Sequence, residues 1–355
     1  MINLKSIVKV FDGGEGSGHF EHAGRVGQVG GSTRSGAFKS KQNRKYREGH
    51  INSAKDIKEK FGDSSGFTSI KKTFYRLTGK NLSDLRNKFE KLLNAYAEEG
   101  YGTLSNSERD SLLDSFDSPE NSFGSQIRIS RLLNNDGNIK SISEIKALYK
   151  GYESANKGTG AKVLKTFFVL SRMNENERKD LYDALETARS VYEYSANAYI
   201  DMRHAYRDKY RDNKKLSEVE NEYLEMSNKV DDFIYKSDKF KGEIHRGMKF
   251  HSSDDVLNVI DKLTQGKTVD MQGLSSWSSN EKMATSFKGK KFNAIVFHVE
   301  NKSGTSIKEL SSYPNEDEVL VPTTARYRLK KGSKPMKISE DGSDVSVYDV
   351  WLEEV

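Results

Sequence analysis

Two glutamates separated by one residue, Glu316 and Glu318, stand at the mouth of an apolar strand in the stretch Leu310-Ser-Ser-Tyr-Pro-Asn-Glu-Asp-Glu-Val-Leu-Val-Pro322. In an extended segment the side chains at i and i+2 point the same way, so this pair sets two like charges on one face. Such a placement costs energy, which favours a site over chance surface placement. Two other polar features precede it. Arg246 falls within a short strand and is followed by Gly247; alone it reads as an exposed strand arginine. Gly273-Leu-Ser-Ser-Trp-Ser-Ser-Asn280, with Ala284 and Phe287 beyond it, reads alone as a polar turn before a short helix capped by Ser278, Ser279 or Asn280. Together they offer a guanidinium, several hydroxyls and a carboxylate pair.

In order and spacing the three features resemble the Arg–Ser–Glu signature of mono-ADP-ribosyltransferases, in the branch shared by arginine-modifying bacterial toxins and phage enzymes. The resemblance covers residues 240–355 closely and the helices over 120–240 by architecture. It implies that Arg246, with Gly247 after it, contacts the phosphates of NAD. It aligns Ser275-Ser276-Trp277 with the family's Ser-Thr-Ser motif, and sets Ala284 and Phe287 at the expected distance beyond. Glu316-Asp317-Glu318 aligns with the Glu-x-Glu motif, and Tyr313 with the aromatic residue of the loop before it. Trp277 departs from the family pattern at the third motif position, which puts a second hydroxyl contact in doubt.

The chemistry suits these residue types. Cleavage of the nicotinamide–ribose bond passes through an oxocarbenium-like ion, as glycoside hydrolysis does. On the resemblance, Glu318 lies under the ribose and stabilises that charge, and Ser275 orients the carboxylate. Arg246 presents a fork that matches a pyrophosphate. Glu316 is placed to hold an incoming guanidinium and accept its proton, and the resemblance implies that a glutamate at this earlier position goes with arginine as acceptor. Ser276 and Phe287 join the NAD-binding set, and Tyr313 and Glu316 the target-recognition set. Trp277 and Phe287 read as core or pocket wall rather than as catalytic groups.

Elements that must position these groups are legible in part. Helical periodicity dominates 51–235, with Leu82, Leu85, Phe89, Leu92, Leu93 and Tyr96 recurring every three or four residues after Ser83 and Asp84 mark a start. Short helices are expected at 126–134, 141–152 and 161–172. A long helix is expected from Glu177 to Asp212, with Leu181, Leu185, Ala188, Tyr192, Ala196, Tyr199, Met202 and Tyr206 on its packing stripe. A further helix covers 216–238. After Phe240, strands are expected at 243–250, 293–299, 305–309, 318–321, 324–330 and 345–352, with a helix at 253–264. The fold class is α+β: an ADP-ribosyltransferase-like two-sheet β core with an N-terminal helical lobe. The expected organisation is a flexible basic arm over 1–50, a helical region over 51–120, and a transferase domain over 121–355, with its lobe at 121–239 and its core at 240–355.

The chain has 355 residues, no cysteine and a formal charge of +6. Zero cysteine excludes disulfides, thiolate zinc sites, iron–sulfur clusters and a cysteine nucleophile. The charge is uneven: residues 1–50 hold nine Lys and Arg against four Asp and Glu, whereas 240–355 holds 17 of each. Ten of the 28 glycines share that first segment. No Gly-Lys-Ser/Thr closes the glycine-rich stretch, which excludes a phosphate loop. The arm is either a solubilising tail or a tether for weak nucleic-acid contact. Scattered histidines give no metal motif, so no metal is expected. No apolar run suits a membrane span, and none is expected to serve as an export signal.

The leading expectation is an enzyme that moves ADP-ribose from NAD to an arginine of a host protein. The arm also resembles glycine-rich segments of phage head proteins, which suggests toxin-like host takeover by an enzyme carried in the virion into the host cytoplasm. The alternatives are an NAD glycohydrolase, a nucleic-acid ADP-ribosyltransferase, or an inactive structural, DNA-contacting virion protein.

Overall fold

A computed structural model of the chain describes residues 73–75, 77–113, 116, 129–155, 160–286, 293–338 and 345–355. The basic arm over 1–50, the helices expected between 51 and 72, and Phe287 lie outside the described residues. Contacts divide the chain into two compact units, Met1–Arg189 and Ser190–Val355.

The described part of the first unit is helical. α1 (Leu82–Glu98) starts where Asn81 Oδ1 accepts from the Ser83 amide at 3.1 Å, and it buries Leu82, Leu85, Phe89, Leu93 and Tyr96. α2 (Asn106–Leu113) adds Leu112 and Leu113, and Phe116 meets Phe89 edge-on at 5.0 Å. α3 (Ile142–Ala155) and α4 (Gly160–Arg172) follow, α4 burying Val163, Phe167, Phe168 and Leu170. Lys165 of α4 is buried with its Nζ 2.7 Å from Glu108 Oε1, so its charge is paired. Of the helix expected at 126–134, the described residues form a short 3-10 turn, Ile129–Leu132.

The long helix expected from Glu177 to Asp212 forms as two segments, α5 (Glu175–Glu193) and α6 (Tyr199–Tyr210), joined by a π-helical turn at Tyr194–Ala198. The buried stripe departs from the expected one before that turn, at half-buried Leu185 and Tyr192, as well as after it. The observed stripe is Leu181, Ala184, Ala188, Val191, Tyr194, Ala198, Met202 and Ala205. Tyr199, expected on the packing face, is exposed. α7 (Glu218–Lys236) opens on a reciprocal capping box between Ser217 and Glu220.

The described residues of the second unit form nine strands: β1 (Glu243–Phe250), β2 (Val269–Asp270), β3 (Ser275–Ser278), β4 (Asn293–Glu300), β5 (Thr305–Ser306), β6 (Glu318–Val321), β7 (Arg326–Leu329), β8 (Met336–Ile338) and β9 (Val347–Glu354). Their order is β2-β7-β9-β4-β1-β3-β6-β5, with β8 on β9. β1 pairs with β4 along all eight residues, whereas β1 meets β3 at one pair, His245 opposite Ser278. Hydrogen bonding therefore runs through both halves of the expected two-sheet core, and the join is a single residue pair.

α8 (Ser253–Thr264) packs on β1, β4 and β7, and α9 (Glu281–Ser286) on β1 and β3. One core holds Ile244, Val256, Ile260, Leu263, Trp277, Ile295, Phe297, Val319, Val321, Tyr327, Val350 and Leu352. Burial of each large apolar side chain stabilises by roughly 1.5–3 kcal/mol, which fixes the strands that carry the polar groups.

Candidate functional site

Glu318 is the first residue of β6 and is 4% exposed. β3 lies antiparallel beside it, with Ser278 opposite Glu318 and Ser276 opposite Leu320. Side chains alternate along a strand, so Ser276 and Ser278 share the face of Glu318 while Ser275 and Trp277 point the other way. The Ser276 hydroxyl acts on the Glu318 carboxylate from that face and favours its ionised form. Ser311, from the preceding loop, donates to Glu318 Oε2 at 3.1 Å. Ser275 is buried, and its Oγ accepts from Trp277 Nε1 at 2.9 Å. The hydroxyls at the carboxylate are thus Ser276 and Ser311.

The serine segment, readable alone as a polar turn, is a strand. Trp277 holds it there: the indole is buried, meets Tyr327 at 5.3 Å between ring centroids, and turns the flanking serines toward Glu318. Ser278 Oγ donates to the Glu316 carbonyl at 2.7 Å, so the same strand also fixes the first residue of the Glu-x-Glu turn.

Extended geometry does not bring the two glutamates together. Pro314–Glu316 is a 3-10 turn, and Asp317 is left-handed, with φ 48° and ψ 45°. Its carbonyl accepts from the Ser279 amide at 3.1 Å. Glu316 is half-buried, and its carboxyl is pushed up to about 7, first by burial and then by the charge of Glu318. Burial also raises Glu318, against hydrogen bonds from Ser276 and Ser311 and the charge of Arg246.

Arg246, on β1, donates from Nη1 to the Ser276 carbonyl, while its Nε is buried with no partner. Burial, then the nearby charge of Arg203, brings its guanidinium down to about 10, so it stays charged at neutral pH. Tyr327 OH is likewise buried without a partner. These orphaned donors, one of them cationic, fit a polar anionic ligand. Gly247 follows in β1 opposite Val296. Tyr313 is half-buried; its amide donates to Ser311 Oγ at 3.0 Å and its carbonyl accepts from the Glu316 amide at 3.0 Å.

Three contributors carry no sequence signal of their own. Tyr194, buried on the π turn, donates from its hydroxyl to the Leu274 carbonyl at 3.2 Å. Arg203 Nη2 donates to the Met271 carbonyl at 2.7 Å. Ser195 Oγ accepts from the Ser312 amide at 2.8 Å. Tyr194 and Arg203 pin the carbonyls leading into β3, and Ser195 pins the loop before Glu316. His245 lies away from Arg246 along β1, as strand alternation requires, with Nδ1 2.8 Å from His298 Nδ1. Among the described residues no group of three or more His, Asp or Glu could hold a metal ion, and no helix is long and apolar enough to cross a membrane.

Residues 190–341 match the family model described as NAD:arginine ADP-ribosyltransferase. The resemblance carried by Arg246, the serine segment and the two glutamates therefore holds over that segment. No curated protein matches in sequence. Among solved structures, the chain is similar to Vis toxin, an ADP-ribosyltransferase from Vibrio splendidus, at 19% identity and TM-score 0.37, over 61% of this chain and 87% of that one. It is also similar to the ADP-ribosyltransferase HopU1 of Pseudomonas syringae, at 16% identity and TM-score 0.38, over 48% and 77%. Exoenzyme S of Pseudomonas aeruginosa, solved with human 14-3-3 protein beta and carba-NAD, matches at 19% identity and TM-score 0.36, over 48% and 74%.

Proposed function

We propose that this chain transfers ADP-ribose from NAD to an arginine side chain of a protein. The observation that carries the reading is the setting of Glu318: a buried carboxylate held by Ser276 and Ser311, with Arg246 charged nearby and Glu316 beside it. The nicotinamide–ribose bond breaks with its electron pair leaving on the nicotinamide nitrogen. Glu318 stabilises the cation left on the ribose. Arg246 binds the pyrophosphate through its free donors. A guanidine nitrogen of the target attacks the ribose carbon, and Glu316 accepts the proton released.

Ser276 takes the orienting role expected of Ser275, because its hydroxyl is the one on the carboxylate. The motif then reads Ser276-Trp277-Ser278, with the tryptophan in the middle as the core anchor. The target is read as a host protein met in the host cytoplasm after delivery from a virion, a reading motivated by the glycine-rich arm. Incubation of the chain with labelled NAD and a protein bearing exposed arginines tests the activity. Wild type is expected to transfer label and Glu318→Ala to lose it; equal labelling by both sinks the proposal. Glu316→Ala is expected to release nicotinamide while failing to label arginine.

A further inference from the structure

The loop between β5 and β6 presents Tyr313 and Glu316, and its two ends are closed twice. The Ile307 amide donates to the Glu318 carbonyl at 3.0 Å. One residue further out, Lys308 Nζ meets Asp317 Oδ1 at 2.6 Å. Asp317 is the left-handed residue that separates the two glutamates, so one side chain carries both the ion pair and the turn. We infer that the Lys308–Asp317 pair is a latch that positions Glu316 for the acceptor and so sets the balance between transfer and loss of ADP-ribose to water. The inference rests on the proposed arginine transfer.

Asp tolerates the left-handed region better than most residues with a side chain, so the backbone alone does not demand the latch. The lysine side chain is 57% exposed and the aspartate 29%. Pairs this open add little to global stability. What the pair can decide is local, because the carbonyl of Asp317 is held by Ser279 and that of Glu316 by Ser278 on β3. With both carbonyls fixed, the ion pair at the stem limits how far the turn can swing. Glu318 is anchored separately by β6, Ser276 and Ser311. Losing the pair therefore widens the excursions of the Glu316 side chain about those held carbonyls and leaves the group under the ribose in place.

The test measures two rates on the full chain: nicotinamide release from NAD without acceptor, and transfer to agmatine as a soluble guanidine. Asp317→Asn keeps the left-handed turn but removes the charge, and Lys308→Ala removes the partner from an exposed position. Each is expected to lower the ratio of transfer to release about fivefold. The double variant is expected to be no worse than either single, since one interaction is lost only once. Lys308→Arg is expected to restore the ratio. Asp317→Val, a β-branched residue in a left-handed turn, is expected to lower transfer about fiftyfold. An unchanged ratio in both single variants, or losses that add in the double, overturns the latch. Nicotinamide release by wild type with no modification of any guanidine overturns the arginine reading instead, and the latch with it.

Discussion

Ser276 and Glu318 lie on one face of the β3–β6 pair, as diagonal neighbours, while Ser275 one residue earlier faces the core and is held by Trp277. Adjacent serines therefore fail differently when removed. Ser276→Ala takes a hydroxyl that favours the ionised form away from the buried carboxylate and is expected to slow nicotinamide release about tenfold, with little change in melting temperature. Ser275→Ala leaves the Trp277 Nε1 donor buried and unmet, at a cost of about 1–3 kcal/mol in stability. Paired measurement of nicotinamide release and thermal unfolding separates the two. A catalytic loss confined to Ser275→Ala would return the orienting role to that residue.

What the sequence made legible follows from the length and regularity of each element. β1, β4, α7 and α8 are long enough for their period to show, and they form close to where the pattern puts them. β3 is four residues with three serines, too short and too polar for alternation to be seen, and only the burial of Trp277 makes it a strand. The one-residue offset from Ser275 to Ser276 follows, because a motif read as a string carries no face. Tyr194, on the π turn, falls between the expected stripe positions Tyr192 and Ala196, and only the observed burial selects it. Ser311 reaches Glu318 across seven residues of loop, a contact that backbone closure sets and local spacing does not.

Transfer to a guanidine should depend on the ionisation of Glu316. Its carboxyl is pushed up to about 7, so it is largely protonated at pH 6 and largely ionised at pH 8. Only the ionised form accepts a proton, so the rate of transfer to agmatine is expected to rise through pH 7 and then level off. Glu316→Gln is expected to abolish both the transfer and its step, leaving nicotinamide release intact. A flat wild-type profile between pH 5.5 and 8.5 would remove Glu316 as the proton acceptor.

The same raised carboxyls should weigh on the fold. A group whose pKa is higher when folded contributes stability that is fully present below its unfolded pKa and is lost as pH rises through its folded pKa. For Glu316 that window runs from the ordinary glutamate range up to about 7, and burial puts Glu318 in the same sense. Glu316→Gln and Glu318→Gln are therefore expected to raise the melting temperature at pH 8 and to leave it nearly unchanged at pH 4. The gain for Glu316→Gln is about 1–2 kcal/mol after allowance for its partial exposure. Calorimetry at the two pH values checks this. A gain of equal size at both would assign it to packing and not to charge.

Gly304 supplies a control on β6 that touches none of the polar groups. It sits before β5, where its amide donates to Asn301 Oδ1 at 2.9 Å and its carbonyl accepts from the Phe240 amide at 2.9 Å. A Cβ there would fall 2.5 Å from Asn301 Oδ1 and 2.9 Å from methyls of both Val319 and Val321, the core-facing residues of the strand that begins with Glu318. Neither valine can retreat, since both are fully buried in the main core of the second unit. Gly304→Ala is thus expected to cost about 1–3 kcal/mol by overpacking. If β6 shifts as one body, nicotinamide release falls along with the melting temperature, because Glu318 moves off Ser276 and Ser311. If the strain is absorbed by Asn301 alone, the melting temperature falls and release per folded molecule stays at the wild-type value. The rigid β6 implied by four consecutive buried residues favours the first outcome.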